Sequence, residues 1–195
     1  YTTKNSGTAD ELLLGIGTFF DFDGTSTLLA VTDGAIYNYN SALNNWLRTY
    51  THQPVTAGVI TKPVSFVHAA QGGGGTLAAD WYLILSNAKD EVQYWDGSGT
   101  FTNLLGGDDY QAVTTHIAHQ ALFFKNSLVL IGTTEDSNLQ PKRVRWSATG
   151  LIDEWDFTTT NAGFADILDT AGDIVWGAQI GNQIALYKQD SIVLM

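Results

Sequence analysis

Apolar and polar residues alternate along most of this chain, and the alternation is interrupted at short turns rich in glycine and aspartate. In Arg143-Val144-Arg145-Trp146-Ser147 the pattern predicts a strand with Val144 and Trp146 on one face and the two arginines and the serine on the other. A turn at Thr149-Gly150 follows, then Trp155 and Phe157 separated by a polar residue. The same figure of apolar strand, tight turn, second strand and aromatic recurs upstream. One such unit cannot cover its own apolar face, so its repetition predicts that neighbouring units cover each other.

Taken in order, residues Tyr1–Ala9 are polar and read as a loose arm or an edge strand. Glu11–Phe22 is apolar, with Gly15 and Gly17 one residue apart, and predicts a strand near the centre of the fold where backbones approach closely. Asp23-Gly24 turns the chain, and Leu28–Thr32 and Ala35–Tyr39 flank the hairpin signal Asp33-Gly34. Trp46–Tyr50 completes a four-stranded meander, and Ser41–Trp46 is the single place where a short helical turn fits. A second unit runs through Val64–Ala69, Trp81–Ser86, Glu91–Trp95 and Phe101–Leu105, with Gly72–Gly75 as a flexible insertion. The third reads His116–Phe124, Ser127–Thr133, Arg143–Ser147 and Trp155–Thr158. The fourth reads Ile174–Ile180, Gln183–Lys188 and Ser191–Met195.

Matching strands recur at about 45 to 56 residues, within the range of propeller blades. The expected fold is therefore all-β, a single propeller-like domain over residues 1–195 built from antiparallel units near 10–52, 58–106, 112–160 and 172–195. Hairpin signals repeat locally without a long crossover, which favours this arrangement over a β-sandwich. Either the amino-terminal arm supplies a last strand to the fourth unit and closes a ring of four, or the chain is an arc of a larger ring. The start at Tyr1 without a methionine and the end of the chain within a strand lead us to expect processing or a fragment.

Composition narrows the function classes. Twenty glycines, three prolines and 12% aromatic residues suit many short strands joined by glycine turns. Without cysteine there is no disulfide framework, thiolate metal site or cysteine nucleophile. A net charge of −11 opposes a surface that grips nucleic acid, since phosphate neutralisation needs clustered Lys and Arg. No apolar run approaches the roughly 20 residues of a membrane span, and no secretory signal is visible.

Candidate chemistry is sparse. Asp21, Asp23 and Asp33 suggest calcium, but a loop opening at Asp21 would need ligands and a glycine where Thr25, Ser26 and Thr32 stand. Turn formation accounts for these aspartates. His116 and His119 would share a face on a helix, but their neighbours predict a strand, which places them on opposite faces and argues against a shared zinc. His52 and His68 lie in other units. The acidic groups Asp153/Glu154/Asp156, Asp108/Asp109 and Asp90/Glu91 are candidate glycosidase carboxylates, and solvated loop tips explain them more simply. Gly72–Gly75 lacks the Lys-Ser/Thr of a phosphate loop, and no Gly-x-Ser-x-Gly elbow occurs. The basic set Lys142, Arg143 and Arg145 either meets an acidic partner subunit or, as the strands flanking Gly150 favour, pairs with Asp153 or Glu154 across the turn. Trp46, Trp95, Trp146 and Trp155 are expected to seal one unit against the next. No catalytic, cofactor-binding or metal-ligating residue is assigned.

Several segments resemble structural proteins of tailed-bacteriophage virions and prophages. They are Arg143-Val144-Arg145-Trp146-Ser147 with Glu154-Trp155, Ala162-Gly163-Phe164 and Asp173-Ile174-Val175. Leu83-Ile84-Leu85-Ser86-Asn87 running into Val92-Gln93-Tyr94-Trp95-Asp96-Gly97 fits as well, as does Ala185-Leu186-Tyr187-Lys188-Gln189-Asp190-Ser191-Ile192. The likeness extends from Trp81 onward, and more faintly over the first unit. It implies a tail or head-to-tail component with a propeller-like domain, no chemistry of its own, and a place in the phage particle. Its expected partners are other virion proteins and copies of itself. The alternatives are a propeller that binds a host surface glycan through exposed Trp and Tyr and, more remotely, a glycoside hydrolase.

Overall fold

The computed structural model describes residues 12–21, 24–51, 64–72, 77, 81–104 and 116–195. They form four antiparallel sheets and, among the described residues, no helix. Strands β1 (Leu13–Phe20), β2 (Ser26–Thr32), β3 (Ala35–Asn40) and β4 (Asn45–Thr51) pair in chain order as sheet 1. Sheet 2 contains β5 (Ser65–Ala70), β6 (Trp81–Ser86), β7 (Gln93–Trp95) and β8 (Thr102–Asn103). Sheet 3 contains β9 (His116–Phe124), β10 (Ser127–Glu135), β11 (Asn138–Trp146) and β12 (Gly163–Asp166). Sheet 4 has three strands, β13 (Ile174–Ile180), β14 (Gln183–Lys188) and β15 (Ile192–Leu194). Each sheet is a meander, as the local hairpin signals require.

The sheets pack in sequence. β1 meets β5, β5 and β6 meet β9, and β9 and β10 meet β13. Sheets 1 and 2 enclose Phe19, Leu29, Val31, Ile36, Leu83, Leu85 and Trp95. Gly15 and Gly17 lie over the Phe66 ring, where an added Cβ would approach to 3.1 Å, so any larger residue would make the ring give way by a few tenths of an ångström. Sheets 2 and 3 enclose Tyr82, Ile84, Ala118, Leu128, Leu130 and Trp155. Sheets 3 and 4 enclose Val129, Ile131, Val144, Ile184 and Leu186, with Trp146 half-buried at the edge. Trp95, Trp146 and Trp155 thus sit at junctions, as expected. Trp46 instead joins Ala30, Ala35 and Tyr37 on sheet 1 alone.

Four expectations need correction. The last strand of sheet 3 is β12, not Trp155–Thr158, so the third unit reaches Asp166. Asp156 explains this: its carboxylate accepts bonds from Thr158 N (2.7 Å), Thr158 Oγ1 (2.5 Å) and Thr159 Oγ1 (2.7 Å), which curls the chain into a turn while Trp155 enters the core. β10 and β11 are longer than the pattern suggested, because Asp136 and Ser137 form their hairpin with φ of 46° and 68°. Pro141 is accommodated where the β10–β11 register shifts. In the segment expected as Phe101–Leu105, only Thr102–Asn103 pairs; Phe101 stacks on Trp95 at 5.4 Å, and Leu105 lies outside the described residues. Residues 41–44 form a turn rather than helix, with Leu43 N donating to Asn40 Oδ1 (3.0 Å) and Asn44 at φ 48°.

Candidate functional site

Two places gather polar chemistry. The first is on sheet 3. Arg143 and Arg145, alternating with Val144 along β11, turn away from sheet 4 and meet Glu135 from β10. Arg145 Nε donates to Glu135 Oε1 and Arg143 Nη1 to Glu135 Oε2, both at 2.9 Å. Arg143 also grips Asp166 of β12 with Nε (2.7 Å) and Nη2 (2.8 Å). Phe164 lies beneath both guanidinium groups, at 4.5 Å from Arg143 and 5.1 Å from Arg145. Burial pushes the Glu135 carboxyl up, but hydrogen bonds from Arg145 and Thr133 and the two positive charges bring it below its ordinary value. The Arg143 bonds likewise hold Asp166 low. His116, paired with Glu135 in the β9–β10 ladder, is lowered to about 4 by burial and by the Arg145 charge, against the pull of Glu135 and Asp136. Arg143, Arg145, Glu135 and Asp166 thus bond one another and fix strands β10, β11 and β12.

The second place is a recess of 380 Å³ lined by Phe20 and Asp21 of the first sheet and His68 and Trp81 of the second. Phe20 and Trp81 are exposed, and the His68 ring lies 6.0 Å from Phe20 and 5.9 Å from Phe19. Burial lowers the His68 pKa, opposed by its hydrogen bond to the Thr18 backbone, so the imidazole is neutral near pH 7. Two exposed aromatic faces beside the Asp21 side chain can stack on the C–H face of a sugar ring and bond its hydroxyls.

The residues singled out from sequence are dispersed. Asp33 Oδ1 accepts from Leu12 N (2.9 Å), and Asp21 O accepts from Gly24 N, so both belong to turns and strand ends. His116 and His119 face opposite ways: His116 is buried beside Glu135, while His119 meets the Trp176 ring of sheet 4 at 6.1 Å. Asp153 accepts from Gln71 Nε2 (2.6 Å) and Leu77 N (3.1 Å). Glu154 accepts from Asp156 N. Asp90 pairs with Asn87, and Glu91, raised by burial, accepts from Asn103 Nδ2. The expected pairing of the arginines with Asp153 or Glu154 is therefore replaced by Glu135 and Asp166. Gly72 donates to Gly150 O (2.5 Å), while residues 73–75, Asp23, His52, Asp108 and Asp109 lie outside the described residues. Among the described residues no group of three His, Asp or Glu is placed to hold a metal ion. No helix among them is long and apolar enough to cross a membrane.

Two glutamines had no signal in the sequence pattern. Gln71 receives Ile152 N on Oε1 (2.7 Å) while donating to Asp153, and so ties sheet 2 to the loop after β11. Gln120 of β9 donates to Gly177 O (2.9 Å) and accepts from Gly177 N (2.7 Å), and so ties sheet 3 to sheet 4. Comparison of the sequence with protein-family models and with curated proteins finds no match in either.

Proposed function

We propose that the chain is a non-enzymatic structural subunit, a propeller-like array of sheets that works by assembling with other proteins. The observation that supports this most is where its buried polar groups are spent: Gln71, Gln120, Asp153, Glu135, Arg143 and Arg145 all join sheet to sheet or strand to strand. The radial order is supported by the inner strands β1, β5, β9 and β13 following one another in contact. The likeness of Arg143–Ser147 and its companion segments to phage proteins supports a virion, at the tail or head-to-tail region, as the setting. There the loops would bind neighbouring virion proteins, with contacts multiplied by symmetry. Mass spectrometry of purified particles tests this: the chain should be present in fixed proportion to the other structural proteins, and its absence from particles refutes the reading.

The Phe20–Asp21–His68–Trp81 recess favours a second reading, recognition of a host surface glycan. Titration with neutral oligosaccharides should then quench or shift tryptophan fluorescence, and Trp81→Ala should remove the change. A signal that persists in Trp81→Ala excludes this recess as the source.

A further inference from the structure

A recess of 290 Å³ lies at the seam between sheets 3 and 4, apart from the Phe20–Trp81 recess at the seam of sheets 1 and 2. Gly132, in the left-handed region at φ 61°, stands where the β10–β11 register shifts, and the hairpin arm beyond it brings Leu139 and Pro141 to one wall. The other wall comes from sheet 4, with Asp173 just before β13, Val175 within it and Gln189 just after β14. His119 of β9 lines it as well, its ring T-shaped against Trp176 at 6.1 Å. Leu139 is 67% and Val175 46% exposed, so the walls offer apolar surface to solvent. Asp173 is held by its main chain: Gln189 N donates to Asp173 O (3.2 Å), and Asp173 N donates to Gln189 Oε1 (3.4 Å). Its carboxylate bonds no donor among the described residues, and no lysine or arginine among them lines the recess. Lys188, the residue before Gln189, is committed elsewhere, with its Nζ donating to Ile167 O (2.9 Å) and Thr170 O (2.5 Å).

These features decide what can enter. An apolar group filling the space would take the Asp173 carboxylate out of water without a partner, which is costly. An acidic group would meet a like charge. A basic side chain satisfies both parts, because its methylenes cover Leu139, Pro141 and Val175 while its cationic head reaches the carboxylate. The volume is at the small end of ligand sites, which run from about 300 to 1,000 Å³, and suits one side chain rather than a larger molecule. The net charge of −11 favours the approach of a basic partner. We propose that this recess receives a lysine or arginine side chain of a partner protein. That the cation arrives on a protein rests on the structural-subunit reading; the chemistry of the recess does not.

Titration with lysine capped at both ends (Nα-acetyl-lysine N-methylamide), followed by proton–nitrogen correlation spectra, should shift the amide signals of Gly132, Asp173 and Val175 and reach saturation. Capped norleucine, which keeps the carbon chain and lacks the ammonium, should bind about tenfold more weakly. Asp173→Asn should lower the affinity for capped lysine to that of capped norleucine. Asp96→Asn, which removes an exposed charge from a turn of sheet 2, should leave that affinity unchanged. The absence of a shift confined to the recess overturns the proposal, and so does equal binding of the norleucine analogue. An equal loss in both variants overturns it too, since that would mean diffuse attraction to a negative surface. Absence of the chain from particles would remove the virion setting but not this binding, so the two failures are separable.

Discussion

Replacing Gln120 with leucine removes both side-chain bonds to Gly177 while nearly preserving volume. Gly177 is buried, and a Cβ there would collide with Ile131 Cδ1, so its peptide cannot swing toward solvent without disturbing the Ile131–Leu122 packing. The substitution therefore leaves one N–H and one C=O without partners in an apolar junction. At about 1 to 3 kcal/mol for each orphaned group, and with some relaxation, the cost is about 3 kcal/mol. For a chain of this length that corresponds to a fall in Tm of about 6 to 12 °C. The loss should be local, because stacked units couple only to their neighbours. Hydrogen exchange read by mass spectrometry should show sheet 4 opening about 100-fold more often, with β6 and β10 still protected. Gln179→Leu, an exposed residue that donates to Gly181 O at 3.2 Å, is the control and should change stability by less than about 0.5 kcal/mol. A Gln120→Leu protein within about 1 kcal/mol of wild type, or one that loses protection evenly across all four sheets, would refute the idea that this glutamine clamps sheet 4.

Two further predictions concern the charges on sheet 3. The folded protein keeps His116 neutral down to about pH 4, whereas the unfolded chain protonates it near 6.5. The unfolded state therefore binds the extra proton in that window, and stability drops as pH falls from about 6.5 to about 4; urea titrations should show a shallower slope in His116→Asn, and an unchanged slope would refute the assignment. Glu135→Gln removes the buried negative charge that Arg145 and Arg143 share and should cost about 3 kcal/mol. Asp166→Asn, which loosens the more exposed side of the same cluster, should cost about 1 kcal/mol or less, and equal costs would show that burial does not set the balance.

Much of the framework is legible from residue alternation. Trp81–Ser86 and His116–Phe124 have the expected limits, and each apolar run is followed by a turn, at Ala88–Asp90 and Lys125-Asn126. The misplacement in sheet 3 has a local cause. Asp156-Phe157-Thr158-Thr159 has strand-like composition, yet the aspartate side chain outcompetes the ladder for the threonine backbone and hydroxyl groups. The mistaken partners of Arg143 and Arg145 follow from the same oversight. Asp166 lies on the overlooked strand, and Glu135 lies before a hairpin whose left-handed residues are Asp and Ser rather than glycine. Gln71 and Gln120 were hidden because a polar residue inside an apolar run reads as solvent-facing until its backbone partners in another sheet are known. The recess has the same character, since Phe20 and Trp81 are brought together by packing between sheets rather than by spacing.

The seam between sheets 2 and 3 is sewn largely by main chain. Ala88 N donates to Ala118 O and Val92 N to His116 O, each at 2.9 Å, and Glu91 bridges Ile117. Peptide groups are common to every residue except for proline's missing donor, so these stitches make few demands on side-chain identity. At Ile117 the bond leaves the choice of side chain open, whereas Val92 is also fixed by its place in the core and Ala88 by its left-handed backbone. At the seam between sheets 3 and 4, by contrast, both bonds to Gly177 come from the single Gln120 side chain.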